Sequence, residues 1–573
     1  MTARPWLSHY SSEVPHDLPD YPYQNLAELI RAGASTYSKT KAFTQVMANG
    51  MNGSLTYSQV DQYSDRFAAY LRETLGLKQG DRVAVQMPNC LSYTIVAFGI
   101  LKAGLVLVNT NPLYTPTEMI HQFSDSGAKA LVVIDMFADR LPEVLPKTSI
   151  EHVVTVRISQ FFPAMVAGVI RVTQKFWSRT LPKILVPHTP FMEALVAGSK
   201  VVSQEKLDGY LHGVNRDSVA ALQYTGGTTG VSKGAMLSHG NLVLNTLQLI
   251  AMCGNYMRPG KEIVVTALPL YHIFAFTINL LGFWHIGARN LLVPTPRPPS
   301  NLRRVFENYK VTWMTGVNTL FNALLNERWF TDSPPKHLRA SAAGGMALHE
   351  SVSENWRKVT GTPIVEGYGL TESSPVLTFN PLSGGGKDGT IGIPVPSTMV
   401  KLVDQNGAEV PLGEPGELLA KGPQIMLGYW NRPEDNASTV SDGWLKTGDI
   451  ATADSDGYFT IVDRKKDMIL VSGFNVYPNE VEEQIAAISG VMEVGVIGVP
   501  DERSGEKVKA FIVAGATRPS AADVISYCRE HLAAYKVPSL VEYVDELPKS
   551  PIGKILRREL RAQEIASMSN KRG

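Results

Sequence analysis

Cysteine is scarce in this chain, and its scarcity argues against two kinds of protein. Three cysteines occur in 573 residues, namely Cys90, Cys253 and Cys528. They are odd in number and far apart, so they form neither a disulfide framework nor a zinc-binding spacing. This pattern favours a reducing compartment and predicts a cytoplasmic protein.

Net charge and long apolar runs are lacking as well. The formal net charge is +1, so nothing global indicates nucleic acid as a partner. No stretch reaches the roughly 18 uncharged apolar residues that a membrane-spanning helix needs. Residues 1–20 are polar and proline-rich, unlike a secretory signal. The 573 residues exceed the roughly 250–300 residues of a single core, so we expect at least two domains.

Acidic residues are absent between Glu151 and Glu193, and this gap marks an unusual segment. Basic side chains mixed with aromatic ones are typical of a segment that lies on an anionic membrane. A core-packed segment with a basic exposed face is the alternative, and the sequence leaves both open. The residues concerned are Arg157, Arg171, Lys175, Phe176, Trp177, Arg179 and Lys183.

Glycine and hydroxyl residues are concentrated in residues 224–234. Glycines let successive backbone N–H groups converge on one point, hydroxyls add donors and Lys233 adds a positive charge, a combination that suits a polyphosphate. Ser232 stands where a Walker P-loop requires glycine, so that motif is excluded. A flexible surface loop is the alternative interpretation. The candidate binding residues here are Tyr224, Thr225, Gly226, Gly227, Thr228, Thr229, Gly230 and Lys233.

The pattern along the chain predicts an α/β fold. Strand-like apolar runs alternate with helical patterns over the first 460 residues or so, which argues for largely parallel sheets. From residue 384 to residue 457, short strands separated by turn residues indicate antiparallel structure. Five consecutive charged residues at 463–467 read as a connector. We therefore predict domains at 1–463 and 464–573, the second a compact α+β unit.

Five further motifs follow in order, and each has an ordinary interpretation when taken alone. His272 could be a core histidine, Asp449 a turn acid and Lys554 a solvated charge. Their order and spacing together favour a shared function. The motifs occupy residues 269–274, 343–346, 366–372, 444–449 and 549–555.

From about residue 26 to residue 560, these motifs resemble the adenylate-forming superfamily of acyl-CoA synthetases, adenylation domains and luciferases. The closest resemblance is to bacterial long-chain fatty-acyl-CoA ligases, carried by residues 224–234, 316–321 and 442–480. The resemblance implies a large N-terminal domain of parallel-sheet α/β subdomains plus a β-rich subdomain. It also implies a small, mobile α+β C-terminal domain.

The resemblance implies a role for each matching residue. The phosphate loop would hold ATP through Thr225, Thr228, Thr229 and Lys233; the adenine slot would comprise Gly344, Gly345, Gly367 and Tyr368. Thr371 would bond the α-phosphate, and Glu372 with Thr228 would bind Mg²⁺. Asp449 and Arg464 would bond the ribose. Lys554 would hold the carboxylate and α-phosphate, His272 would lie at the catalytic centre, Lys466 at the hinge and Gly473 at the pantetheine tunnel.

The implied reaction uses ATP, Mg²⁺ and coenzyme A to convert a fatty acid into its acyl-CoA through an acyl-adenylate. Such an enzyme serves fatty acid metabolism, including β-oxidation, with peripheral membrane contact and a homodimer as further expectations. Residues 271–278 contain no acid to meet an ammonium group, which favours an apolar carboxylic acid. The alternatives are a fatty-acyl-AMP ligase feeding a carrier protein, a medium-chain or aryl acid ligase, a luciferase-like oxygenase and a non-catalytic carrier.

Overall fold

The structure is a computed structural model that describes residues 4–225, 232–472, 474–501, 503–515, 517–550 and 553–572. We call residues 4–463 the large lobe and residues 464–572 the small lobe. The predicted boundary between residues 463 and 464 stays a prediction. Gly226, Gly227, Thr228, Thr229, Gly230 and Gly473 lie outside the described residues.

The described residues form 26 strands. In chain order they are β1 Lys41–Val46, β2 Asn52–Thr56, β3 Arg82–Gln86, β4 Val106–Thr110, β5 Ala130–Ile134, β6 His152–Val156, β7 Thr189–Pro190, β8 Val219–Thr225, β9 Lys233–Ser238, β10 Ile263–Thr266, β11 Arg289–Leu292, β12 Trp313–Gly316, β13 Ala340–Ala343, β14 Ile364–Gly369, β15 Val376–Phe379, β16 Ile393–Pro394, β17 Met399–Val403, β18 Gly416–Lys421, β19 Val440–Ser441, β20 Trp444–Ala453, β21 Phe459–Arg464, β22 Ile469–Val471, β23 Phe474–Val476, β24 Val491–Asp501, β25 Gly505–Ala514 and β26 Leu540–Tyr543.

They also form 19 α-helices, with short 3-10 and π-helical turns between them. The helices are α1 Leu26–Thr36, α2 Tyr57–Ala69, α3 Leu91–Lys102, α4 Pro116–Ser126, α5 Leu141–Val144, α6 Ala164–Val172, α7 Phe191–Ser199, α8 Gln204–Tyr210, α9 His239–Cys253, α10 Ile273–Ala275, α11 Phe283–His285, α12 Arg303–Asn308, α13 Asn318–Leu325, α14 Arg328–Thr331, α15 Glu350–Thr360, α16 Pro433–Thr439, α17 Pro478–Ala486, α18 Ala521–His531 and α19 Arg557–Arg572. Within the described residues, no helix combines the length and the apolarity needed to cross a bilayer.

Two largely parallel sheets build most of the large lobe. One has nine strands in the order β16-β15-β14-β13-β12-β10-β11-β1-β2, and the other has seven in the order β7-β6-β5-β3-β4-β8-β9. Antiparallel pairing in the seven-stranded sheet is confined to β8 and β9. The strand β5 is buried along its whole length, as a parallel strand covered on both faces by helices should be.

Two further sheets, one in each lobe, are mostly antiparallel. The β-rich subdomain of the large lobe pairs strands in the order β17-β18-β20-β19, with β21 on β20. The small lobe has the order β23-β22-β25-β24, with β26 joining β25. The capping box expected at Ser520 and Asp523 starts α18. These sheets confirm the predicted fold class.

The buried apolar residues separate the two lobes. In the large lobe the main cluster extends from Trp6 to Phe459. The small lobe has its own clusters, centred on Val494 of β24 and on Phe511 of β25. Within the described residues, no buried apolar cluster includes both lobes.

The segment without acidic residues is partly buried and largely exposed. Phe162 and Ile170 pack into the large-lobe core, each only 7% exposed. By contrast, Met165 and Trp177 are 87% and 88% exposed. The exposed face belongs to α6 and to the π-helical turn Thr173–Trp177 that follows it. The core-packing interpretation therefore holds only for one side of this segment.

The glycine-rich loop lies between two antiparallel strands. It follows β8, as expected of a loop at a strand end, but the chain returns along β9 before α9 begins. Thr225 pairs with Lys233 across this hairpin. Ser238 then starts α9 through a capping box with Asn241. The sequence interpretation did not include the strand β9.

Candidate active site

Two predicted adenine-slot motifs follow neighbouring parallel strands of the nine-stranded sheet. Gly344 and Gly345 come directly after β13, and Gly367 and Tyr368 lie in β14 beside it. Gly345 has φ +81°, a conformation that other residues rarely adopt. A Cβ on Gly344 would lie 3.0 Å from the carbonyl oxygen of Gly367, so the two backbones approach closely.

Tyr368, Asp449 and Arg464 form a hydrogen-bonded group. The hydroxyl of Tyr368 donates to Oδ2 of Asp449 at 2.5 Å. Arg464 lies opposite Asp449 in the β20–β21 ladder, and its Nε is 3.4 Å from Oδ1 of Asp449. Burial raises the pKa of Tyr368 well above its ordinary value, and the Asp449 carboxylate adds to the shift. Asp449 is therefore held on both sides in a buried position.

Lys554 of the small lobe reaches the same group. Burial, together with the positive charge of Arg464, lowers the pKa of Lys554 to about 7, and Asp449 opposes the shift. Burial also lowers the pKa of His272 to about 4, with a contribution from the charge of Lys554. His272 is consequently neutral at physiological pH, whereas Lys554 titrates there.

Lys466 is a second lysine with a lowered pKa in this region. It lies in the turn after β21, two residues beyond Arg464. Burial lowers its pKa to about 8, and Arg464 contributes to the shift. The positive charges of these two residues therefore interact at the junction between the lobes.

Glu372 is held by a tyrosine that the sequence analysis did not single out. Tyr429 donates from its hydroxyl to Oε1 of Glu372 at 2.6 Å. Burial raises the pKa of Glu372, and the hydrogen bond from Tyr429 opposes that shift. Thr371 begins the same short helical turn as Glu372. A carboxylate suits Mg²⁺, which usually binds one or two carboxylates together with phosphate oxygens.

Lys233 is paired with a second residue that the sequence analysis missed. Its Nζ lies 2.5 Å from Oδ1 of Asp435 on α16, and 5.5 Å from the ring centre of Tyr429. Tyr429 thus lies between Lys233 and Glu372. This arrangement links the phosphate-loop lysine to the candidate metal ligand.

Tyr224 has a different set of partners. Its hydroxyl donates to Oδ2 of Asp125 at 2.7 Å, and Arg432 binds the other carboxylate oxygen at 2.7 Å. The side chain of Tyr224 is buried in a core cluster of the seven-stranded sheet. Its described contacts therefore fix the base of the loop, and contact with a nucleotide stays a prediction.

The structure thus brings seven of the predicted residues together. Glu372, Tyr368, Asp449, Arg464, Lys466, His272 and Lys554 are linked by hydrogen bonds or by the mutual effects of their charges. Tyr429 and Asp435 lie outside the glycine-rich loop and the five motifs that the sequence analysis singled out. The signal that could have found them is residues 428–435, a turn dense in aromatic, proline and charged residues shortly before the 444–449 motif.

Comparison with known proteins identifies the family of this chain. Residues 31–430 match the AMP-binding enzyme family, and residues 480–554 match the AMP-binding enzyme C-terminal domain. The chain is 48% identical to the long-chain-fatty-acid–CoA ligase of Salmonella typhimurium and covers 99% of both chains. It is 34% identical to the enzyme of the same name from Bacillus subtilis, over 98% of each chain.

A solved structure extends this similarity to the complete fold. The anthranilate CoA ligase AuaEII in complex with anthranoyl-AMP is 26% identical, with a TM-score of 0.83. The match covers 97% of this chain and 99% of that one. The family matches cover more than half of the chain and include both lobes. The resemblance found in the sequence is therefore confirmed, and this chain belongs to the family of AMP-binding, adenylate-forming enzymes.

Proposed function

We propose that this chain is a long-chain fatty-acid–CoA ligase that uses ATP and forms an acyl-adenylate. The observation that carries the proposal is the position of Lys554. Lys554 of the small lobe lies close enough to Asp449, Arg464 and His272 for their charges to act on one another, and the backbone before it bonds to Thr319 of the large lobe. A cation positioned there can stabilise charge that develops during the reaction.

In the first half-reaction, a carboxylate oxygen of the fatty acid attacks the α-phosphorus of ATP and pyrophosphate leaves. Asp449 accepts hydrogen bonds from the ribose hydroxyls, and Tyr368 stacks on the adenine. Lys554 donates to the carboxylate and the α-phosphate, where negative charge increases in the transition state. An anionic nucleotide raises the pKa of Lys554, so the bound lysine is charged at neutral pH.

The donor set also fits Mg²⁺ at Glu372. Tyr429 holds Oε1 of that carboxylate, and Thr228 is the second expected ligand. When bound, the ion neutralises phosphate charge and polarises the leaving pyrophosphate.

In the second half-reaction, the thiolate of coenzyme A attacks the acyl carbon and AMP leaves. We expect the small lobe to rotate about Lys466, removing Lys554 from the site and bringing Gly473 beside the pantetheine. One surface cannot place Lys554 and the thiol of coenzyme A at the same carbonyl group together. Separate domain cores joined by polar contacts are in keeping with such a motion.

The acid is expected to be apolar and long. The helical segment after His272 is buried and mostly apolar; Thr277 and Asn279 are the polar residues of its π-helical turn Phe276–Gly282. Burial of about fifteen carbons of a C16 tail could contribute roughly 12 kcal/mol at about 0.8 kcal/mol per methylene. The relatives named long-chain-fatty-acid–CoA ligases support this choice over an aryl or medium-chain acid.

The exposed residues of 164–185 form what we call the apolar–basic surface. Met165, Phe176 and Trp177 project from it, and Lys175 lies 5.3 Å from the ring centre of Phe176. Aromatic and basic side chains together suit the interface of an anionic membrane. We place the protein in the cytoplasm, with this surface in peripheral contact with the inner membrane. The homodimer stays a prediction.

Membrane contact is tested by co-sedimentation with vesicles of anionic lipid. The double variant Phe176→Ser/Trp177→Ser should bind roughly tenfold less than the wild type, because two apolar side chains no longer enter the interface. Leu412→Ser is the matched control, since Leu412 is 65% exposed on the β-rich subdomain. Unchanged vesicle binding together with a changed oligomeric state would assign this surface to a second copy instead.

The reaction itself is tested by AMP release across acids of graded length, with and without coenzyme A. A long-chain fatty-acid–CoA ligase should release AMP best with long acids and only when coenzyme A is present. Acyl transfer to a carrier protein without coenzyme A would indicate a fatty-acyl-AMP ligase. Light emission with oxygen and ATP would indicate a luciferase-like oxygenase.

A further inference from the structure

A carboxylate of the small lobe caps a helix of the large lobe. Glu483 on α17 accepts, through Oε1, a hydrogen bond of 3.0 Å from the backbone N–H of Glu350. Glu350 is the first residue of α15, and the N-cap residue His349 makes no side-chain cap hydrogen bond. Free N–H groups at a helix start favour a negatively charged acceptor. Glu483 therefore supplies a cap from the other lobe.

The other glutamates that follow Asn479 on α17 bind within the small lobe. Glu480 lies 2.6 Å from Nζ of Lys536, and Glu482 lies 2.6 Å from a guanidinium nitrogen of Arg557. Neither pair includes the large lobe. Among these three glutamates, the inter-lobe contact belongs to Glu483, and Glu480 is a matched residue for comparison.

Helix α13 of the large lobe provides two more contacts. Asn322 donates from Nδ2 to the carbonyl oxygen of Met492 at 3.0 Å. Thr319 donates from Oγ1 to the carbonyl oxygen of Gly553 at 3.3 Å. Gly553 has φ +93°, and a Cβ there would lie 2.6 Å from Nη2 of Arg297. The backbone immediately before Lys554 is therefore seated directly on the large lobe.

We propose that Glu483, Asn322 and Thr319 form a docking latch that positions Lys554 for adenylate formation and opens for thioester formation. This inference rests on the proposed two-step function. The lobes share no buried apolar cluster within the described residues, so polar contacts set their orientation: ion pairs close to the junction, such as Arg557 with Asp463, and these hydrogen bonds farther from it. Rotation of the small lobe separates all three pairs, because their partners lie on different elements of the two lobes.

The test measures the two half-reactions separately in Glu483→Ala, in Asn322→Ala and in the double variant. Acid-dependent exchange of pyrophosphate into ATP, without coenzyme A, reports the first. Each single variant should lower the exchange rate by roughly 3–30-fold, and the double variant by more. Each of these hydrogen bonds forms only in the docked state, so its removal disfavours that state alone. Thioester formation from supplied acyl-adenylate should not slow.

The control is Glu480→Ala, which removes an ion pair from the same helix without touching the large lobe. It should leave both half-reactions unchanged. Equal losses in both half-reactions, or unchanged exchange in the double variant, would reject the latch. Absence of exchange in the wild type would instead reject the proposed function, and the latch with it.

A crosslink gives an independent measurement that does not depend on weakening the fold. The pair N322C and M492C can be joined by a short thiol-specific linker, because the natural cysteines Cys90, Cys253 and Cys528 are all buried. The joined protein should keep pyrophosphate exchange and lose thioester formation. Cleavage of a cleavable linker should restore thioester formation. Thioester formation at the wild-type rate while joined would contradict the latch.

Discussion

The two lobes hold their parts of the candidate site in different ways. Tyr368 and Asp449 lie on strands of the large lobe, whose main apolar cluster extends from Trp6 to Phe459. Lys554 lies in a lobe with separate cores, and polar contacts, both hydrogen bonds and the ion pair of Arg557 with Asp463, seat that lobe. Apolar packing within the large lobe fixes the residues expected to bind the nucleotide, whereas a few polar contacts between the lobes fix Lys554. A rigid half with a movable half suits a reaction of two successive steps.

The largest effect is expected for Lys554→Ala. Loss of one preplaced charge stabiliser typically costs two to three orders of magnitude, so adenylate formation should slow by roughly 100–1000-fold. Thioester formation from supplied acyl-adenylate should be spared, because Lys554 is expected to leave the site in that step. Pyrophosphate exchange and single-turnover thioester assays measure the two rates.

The matched control for this variant is Lys549→Ala. Lys549 lies five residues earlier and pairs with Glu493 of the small lobe at 2.6 Å. Its removal should leave pyrophosphate exchange unchanged. Equal damage by Lys554→Ala to both half-reactions would refute the proposed role of that lysine and weaken the contrast between the lobes.

The reverse pattern is expected for Lys466→Pro. Proline restricts φ at the proposed hinge, so the small lobe should no longer reach its second orientation. Pyrophosphate exchange should persist, while thioester formation should fall by about two orders of magnitude, as misplacement of reacting groups typically causes. Lys466→Ala separates the side chain from the backbone and should retain thioester formation. A proline variant with full thioester output would argue against a hinge here.

A moderate effect is expected for Tyr429→Phe. The substitution removes the hydrogen bond to Glu372 and leaves the ring beside Lys233. Hydrogen bonds to charged groups are worth about 1.5–3 kcal/mol, so kcat/KM for ATP should fall by roughly tenfold or more. Isothermal titration should also show weaker Mg²⁺ binding in the presence of a nucleotide analogue. Tyr543→Phe, which removes a hydroxyl that donates to the carbonyl oxygen of Pro519 in the small lobe, is the control.

The sequence predicted most of the fold because its signals are local. Apolar runs such as residues 130–134 and the capping box at Ser520 each occupy a short window, and each forms the expected element. The strand β9 was missed because Gly234 and Ser238 interrupt a short run that reads as the end of the loop. Pairing with β8, rather than intrinsic propensity, makes these residues a strand.

The contacts around the site were less predictable because they join distant parts of the chain. Tyr429 and Glu372 are 57 residues apart, and Lys233 and Asp435 are 202 apart. No periodicity or turn signal relates such positions. The motifs could therefore indicate which residues meet a nucleotide, but the residues that orient them became visible only in the structure. Their catalytic roles stay predictions.

The smallest expected effect is a proton taken up when the nucleotide binds. The pKa of Lys554 is lowered to about 7, so the lysine is mostly neutral at pH 8 and mostly charged at pH 6. An anionic ATP analogue favours the charged form and raises this pKa, so binding should take up about one proton at pH 8 and close to none at pH 6. Calorimetric titration in buffers of different ionisation enthalpy measures the uptake. Lys554→Met should abolish the difference between the two pH values. If that variant takes up as many protons at pH 8 as the wild type, the titrating group is not Lys554, and the small lobe does not hold a neutral lysine at the site before the nucleotide binds.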